Sequence, residues 1–360
     1  MTDHIGIWQH AAGAQPDPRF GYCTDDVARA LVVDVLHARQ GLAAAVEPDI
    51  QQSLAFLGDA FDRASGRFRN FRGADGAWLD TGGSEDCHAR AIAGLAAVIS
   101  EMPDTELAER ARPLFDAAMP AVASFGALRS TSRSLLALDA ACTAGASAAL
   151  MPWFESLAER LWTSFGGIFG SLGSHEPADW PWPEQTLTYE NALVPHALIV
   201  AGRRLGRPAY VACGLAVLDW LVDVQIGPDG CFSPVGNAGW WPRNGERSRF
   251  DQQPIEAATL VAAATAAYTV TGARRYSEAA ESSYGWFLGD NDGSVALADP
   301  VRGACHDGLG PGGVNENQGA ESTLMWLTAL EQMRDLRHNL NARPSPIAVA
   351  GSEIAWSVRS

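Results

Sequence analysis

The residues best suited to chemistry in this chain lie in short clusters, each at the front of an apolar run. In "GYCTDDVARALVVDVL", residues 21–36, the cluster is Tyr22, Asp25 and Asp26. The pattern recurs as "SEDCHAR" (Glu85, Asp86, His88, Arg90), "TYEN" (Tyr189, Glu190, Asn191), "FDQQPIE" (Asp251, Gln252, Gln253, Glu256) and "NENQGAES" (Glu316, Asn317, Gln318, Glu321). Carboxylates brought together raise one another's pKa, so one can hold a proton while another stays ionised. Cleaving a glycosidic bond needs such a pair: an acid for the leaving oxygen and a base for the attacking water. Helix capping competes with this reading, because Ser, Thr, Asp and Asn are favoured N-caps and an acid in the first turn is stabilised by the helix dipole. Capping does not account for the amides and tyrosines, which are usual hydrogen-bonding and stacking groups of a sugar pocket.

The elements behind these clusters read as helices at roughly 25–40, 49–64, 85–101, 104–125, 130–145, 150–164, 188–205, 208–226, 253–272, 274–289 and 317–337. They alternate in kind. Small and apolar sequences such as "ARAIAGLAAVIS" and "IEAATLVAAATAAY" suit helices buried on most faces, while "DTELAERARPLFDAA" and "ARRYSEAAESSYGWFL" suit helices with one wet face. Candidate inner helices start near 24, 84, 130, 188, 252 and 316, a spacing of about 46–64 residues that fits a helical hairpin plus a loop. The expected fold is an all-α (α/α)6 barrel, a single domain over residues 1–360, with "SPIAVAGSEIAWSV" as a weak twelfth helix. Parallel inner helices would point their N-termini at one mouth. The third start, "STSR", brings Arg133 and no acid, so the pocket should be lopsided there.

Long loops rich in Gly, Pro and Trp precede the inner helices, whereas "GRPA" and "TGA" join inner to outer ones, so elaboration belongs to one rim. Trp78, Trp180, Trp182, Trp240, Trp241 and Phe232 fall in these loops and are expected either to plug them or to offer platforms for a pyranose face. Cys23, Cys87, His88, Cys305 and His306 share the rim, but none forms a compact zinc motif, and no metal or other cofactor is expected. There is no P-loop or Gly-rich dinucleotide fingerprint.

Over 360 residues the net charge is −16, all 26 basic side chains counted as Lys or Arg are Arg, and 42 residues are Asp or Glu. That argues against nucleic acid, which needs a basic face. The expected partner is an oligosaccharide or glycan, not a membrane, and a homo-oligomer is compatible with the sequence. Without a signal-peptide pattern, a cytoplasmic location is expected, where six scattered cysteines would be free thiols.

Taken in order, "GIWQHA…GYCTDDVARAL", "FRNFRGADGAWLDTGGSEDCHARAI", "TYENALVPHALI", "DQQPIEAA" and "NENQGAESTLMWL" resemble the six-hairpin glycosidase superfamily, and more narrowly a bacterial group associated with glycosyltransferases and found near mannoside phosphorylases. The resemblance spans residue 4 to about 333. It implies a carbohydrate-active enzyme, a glycoside hydrolase of inverting type, with phosphate in place of water also compatible. Inverting members place the acid mid-chain and the base near the end, which suggests Glu190 and Glu316, with Asp25, Asp26, Asp86, Glu256, Glu85 and Glu321 binding hydroxyls or sharing proton transfer. Two alternatives stand beside it: a sugar isomerase or epimerase using His88, His196 or His306 as base, and a noncatalytic glycan-binding protein.

Overall fold

The computed structural model describes residues 1–166 and 179–341. Eleven long helices run through them: α1 Thr24–His37, α2 Ala43–Ala60, α3 Glu85–Glu101, α4 Glu106–Ala118, α5 Leu128–Ala141, α6 Ser147–Ser164, α7 Leu193–Leu205, α8 Pro208–Gln225, α9 Pro254–Thr271, α10 Arg274–Leu288 and α11 Ala320–Asn341. The odd-numbered helices form an inner ring in which each packs on the next and α11 returns to α1; the even-numbered ones pack outside their inner partners. This is the expected all-α (α/α)6 toroid. The stretch proposed as a twelfth helix lies outside the described residues.

Sequence character sorts the two layers. Along α9 nearly every side chain from Pro254 to Ala264 is buried, so its uniformly small apolar surface meets neighbours on all sides. Outer α4 instead buries only Leu107, Ala108, Ala111, Phe115 and Ala118, one stripe of an amphipathic helix. Small residues let the layers approach closely. At Gly214 of α8 a Cβ would lie 2.8 Å from Ile199 Cγ1 and 2.9 Å from Pro195 O, both on α7.

Inner-to-outer connections are short, as at Gly206, where the left-handed cap that ends α7 favours glycine. The returning connections before α3, α7, α9 and α11 are long, and two-residue strands tie them down: Tyr22–Cys23 pairs with Phe71–Arg72, and Thr186–Leu187 with Trp241–Pro242. These pairs link the start of α1 to the loop before α3, and the loop before α7 to the loop before α9.

Two inner helices begin later than their sequences suggest. Before α7, Glu190 takes a left-handed backbone (φ 49°), which breaks the helical run. Before α11, the N–H groups of Gln318 and Ala320 donate to Gly13 O and Gln9 O, both at 3.1 Å, so this stretch follows the N-terminal segment. No helix among the described residues is long and apolar enough to cross a membrane.

Adding a methyl group at the α7–α8 contact should strain the barrel. Gly214→Ala is expected to lower stability by about 1–3 kcal/mol in urea unfolding; an unchanged midpoint would mean the two helices can separate freely.

Candidate active site

Three arginines occupy the same place on three consecutive inner helices. Arg29, Arg90 and Arg133 each lie five residues beyond the first residue of α1, α3 and α5 (24 to 29, 85 to 90, 128 to 133). They project to the barrel axis, where carboxylates arrive from the opposite half. Glu190, fully buried, receives Arg90 Nη2 at 2.8 Å and Nη1 at 3.3 Å on one side, and an ion pair from Arg133 on the other. Burial alone would raise its pKa, but Arg133, Arg90 and Arg29 outweigh that and hold it down at about 2. Its strained backbone is fastened as well, since Glu190 N–H donates to Glu256. Glu256 also accepts Asn191 Nδ2 at 3.1 Å; burial pushes its pKa up to about 7 against these donors.

One layer nearer the rim, Arg29 holds two acids. Its Nη1 meets Asp26 Oδ1 at 2.7 Å and its Nη2 meets Glu321 Oε2 at 2.5 Å. Asp26 is almost wholly enclosed, with a side chain 3% exposed, whereas that of Glu321 is 39% exposed. Burial raises the Asp26 pKa; Arg29 opposes this, the Glu321 charge adds to it, and the value reaches about 6. Three guanidiniums (Arg29, Arg90, Arg133) thus face four carboxylates (Asp25, Asp26, Glu190, Glu321), and protonating Asp26 balances the set.

Above this layer opens a cavity of about 380 Å³. Asp25, Asp26, Asp86, Asp307 and Glu321 line it, with Arg29 and Arg90 at its base and His10, Tyr189 and Gln253 at its sides. Asp25 is held by Arg90 Nε at 3.2 Å and Asn70 Nδ2 at 2.8 Å. Asp86 accepts from Ser130 Oγ at 2.6 Å and from the Tyr189 hydroxyl. Burial raises the Asp307 pKa, partly offset by Ser322 Oγ donating at 3.1 Å. Phe71, 44% exposed, supplies an aromatic face at the same mouth.

Of the residues singled out from sequence, Asp25, Asp26, Asp86, Arg90, Tyr189, Gln253 and Glu321 line this cavity. Others support it from behind. Glu190, Glu256 and Asn191 brace the turn before α7. Glu85 accepts from Gly126 and Ala127 N–H at 3.0–3.1 Å, fixing the start of α5. Asn317 receives Ala11 N–H at 2.8 Å and contacts His10 Nδ1 at 3.0 Å.

The remaining expectations need correction. Glu316 is exposed in a separate hollow beside Gln15, Arg302, His306 and Gln318, because the segment before α11 turns outward to follow the N-terminus. Gln318 contacts His306 there. His88 is sealed between Phe68 and Phe125 with Nε2 2.9 Å from Ala118 O, and burial lowers its pKa to about 4. Tyr22 is buried, stacked on Trp8 and bonded to Asp3. Gln252 is buried, accepting Trp286 Nε1 and donating to Asp292. Asp251 is exposed with a left-handed backbone outside the cavity. Trp180 and Trp182 are buried, Trp78 packs on Phe56 beneath Arg69 and Arg72, and Trp241 stacks on Trp220, so these rings plug loops. Trp240 alone stays near the mouth, with its ring 6.4 Å from Tyr189. Among the described residues, no three His, Cys, Asp or Glu side chains are grouped to hold a metal ion.

Sequence reasoning missed Arg29, His10, Asp307 and Phe71, and passed over Arg133 as the residue of an acid-free helix. The available signal was an arginine recurring one turn into otherwise apolar helices.

No protein-family model and no curated protein matches the chain. Solved structures do match its fold. A sugar epimerase from a ruminal bacterium superposes with a TM-score of 0.70 at 11% identity, covering 94% of each chain. Cellobiose 2-epimerase from Bacillus thermoamylovorans gives 0.71 at 11% identity, again over 94% of each. A GH76 α-mannanase from Bacteroides thetaiotaomicron gives 0.60 at 8% identity, over 89% of this chain and 88% of that one. At these identities the likeness establishes the fold alone, an (α/α)6 barrel.

Glu190→Gln should leave Arg133 without its buried counter-charge and Arg90 with Asp25 alone, and cost about 3–5 kcal/mol in urea unfolding at neutral pH. Because the folded pKa of Glu190 is depressed to about 2 from an ordinary 4.5, its contribution is complete above 4.5 and is lost as pH falls toward 2. The gap between wild type and variant should therefore narrow in acid, and a constant or widening gap would contradict the clamp.

Proposed function

We propose that this chain is a carbohydrate-active enzyme, a glycoside hydrolase in which Asp26 is the proton donor and Glu321 the base. The observation that carries this reading is the shared guanidinium: Asp26 and Glu321 both hang on Arg29 at the base of one cavity, and burial keeps Asp26 protonated up to about pH 6. One acid enclosed and protonated, with a second open to the cavity beside it, suits the acid and base roles.

In the reaction, protonated Asp26 delivers its proton to the glycosidic oxygen as the bond from that oxygen to the anomeric carbon breaks. Glu321, with one oxygen fixed by Arg29 and the side chain open to the cavity, takes a proton from the water that attacks the same carbon. Arg29 stabilises whichever acid is charged as the proton moves between states. Asp25 and Asp86 are already oriented by Arg90, Asn70, Ser130 and Tyr189, and would accept sugar hydroxyls. Phe71 would lie under the apolar face of a ring. Glu190, fixed as an anion, and Glu316, outside the cavity, are not assigned proton transfer.

A second reading, sugar epimerase or isomerase, is favoured by His10 in the same cavity and by the epimerases that share the fold. It would use an imidazole to move a proton at a carbon beside the carbonyl of an open-chain sugar.

Asp26→Asn and Glu321→Gln should each reduce kcat by about 10²–10⁴-fold with helical circular dichroism retained. Wild-type kcat/KM should fall as pH rises through about 6, following loss of the Asp26 proton. Assays on α- and β-linked manno-, gluco- and galacto-oligosaccharides, read by chromatography, should give shorter sugars. Full activity in Asp26→Asn with loss in His10→Ala, together with solvent deuterium appearing in an intact sugar, would instead establish the epimerase reading.

A further inference from the structure

A second cavity, of about 350 Å³, lies on the barrel axis on the far side of the arginine layer. Arg29 is the one residue lining both cavities. The far cavity has a different chemical character. Its wall is built of small apolar side chains, Ala93 and Ala97 from α3, Ala137 and Ala140 from α5, and Ala258 and Ala262 from α9. Its outer end reaches Glu101, which is exposed at the end of α3. Few hydroxyls and no acid besides Glu101 and Glu190 line it, so it does not suit a sugar.

Its inner end is polar. Arg133 is enclosed from bulk water, yet 20% of its side chain is open, and that face looks into this cavity. A guanidinium has five N–H groups, and among the described residues a single nitrogen, Nη2, is engaged, on Glu190. Burial, helped by the Arg90 and Arg29 charges and opposed by Glu190, pulls the Arg133 pKa down to about 10. Glu190, for its part, is already held by Arg90 on its other side. His196 lines the same cavity, and its imidazole makes no hydrogen bond among the described residues. Burial, with Arg133 and Arg203 nearby, lowers its pKa to about 4, so it is a neutral imidazole able to donate or accept.

A planar guanidinium edge and a neutral imidazole lining one largely aliphatic cavity match a carboxylate carrying an alkyl tail. The fork pairs with carboxylate oxygens in two parallel bonds that neither an alcohol nor an amine can reproduce. We propose that this cavity binds a small aliphatic monocarboxylate, with its head on the free edge of Arg133 and on His196 and its tail along the alanine wall. Asp26 and Glu321, the acids assigned to the reaction at the mouth, do not line this cavity.

Isothermal titration calorimetry of the full chain with hexanoate tests it, with 1-hexanol and hexylamine as probes of the same length. Hexanoate should bind saturably, hexanol about 10-fold or more weakly, as expected for losing a charged hydrogen-bonded pair, and hexylamine not at all. Ala262→Leu and Ala97→Leu, which fill the wall from different helices, should each abolish the hexanoate heat, and Arg133→Lys should weaken it about 10-fold. Failure of hexanoate to bind wild type, equal binding of hexanol, or undiminished binding in a folded wall variant would overturn the assignment.

Discussion

The structure depends on burying charge at the centre of a barrel made of apolar helices. Removing guanidiniums and carboxylates from water costs several kcal/mol each, and the cost is offset only when partners meet at hydrogen-bonding distance. Arg90, Glu190 and Arg133 meet that condition together, and they come from α3, the turn before α7, and α5. Arg29, Asp26 and Glu321 repeat it between α1 and α11. Small displacements of one inner helix would strand a charge, so the ionic layer selects one register for the ring. Apolar packing between alanine-rich helices would not do so by itself, because such faces slide past one another with little penalty.

The same layer divides the axis into two environments. On the rim side burial, with the Glu321 charge adding to it, leaves Asp26 holding a proton near pH 6, while Glu321 stays open to the cavity. On the other side the acids give way to alanines, and one edge of Arg133 faces an aliphatic space. A single device thus supports two chemistries, one suited to hydroxyl-rich ligands and one to an anion with a tail. Strain is concentrated at the junction, in the left-handed backbone of Glu190, which Glu256 fastens through its N–H.

Much of this was legible from the chain because helix starts carry both a signal and a position. Alternation of uniformly apolar with amphipathic segments is a direct consequence of inner and outer layers, and Asp25 and Asp26 of "TDD" line one cavity with Asp86 of "SEDC", while Glu85 does not. The choice between Glu316 and Glu321 was not legible. They are five residues apart, and which one faces the mouth depends on where α11 starts, a point decided by hydrogen bonds to Gly13 and Gln9. The tryptophans were left open between plugs and platforms for a related reason. Pro and Gly around "WPW" indicate a loop, and its rings turn inward both through the nearby Glu184 and through Trp220, forty residues away in the chain. Arg29 was overlooked, and Arg133 passed over, because a cation in an apolar helix reads as an isolated exception until three are aligned on consecutive inner helices.

The central claim is that the substrate's reacting bond sits over the Arg29-bridged acids, and a crystal structure of the Asp26→Asn variant soaked with an oligosaccharide it cannot turn over tests that most directly. The account predicts a glycosidic oxygen about 2.6–3.2 Å from residue 26, with a water between the anomeric carbon and Glu321. A sugar seated in the Glu316 hollow, or in the mouth with no linkage near either acid, would contradict it.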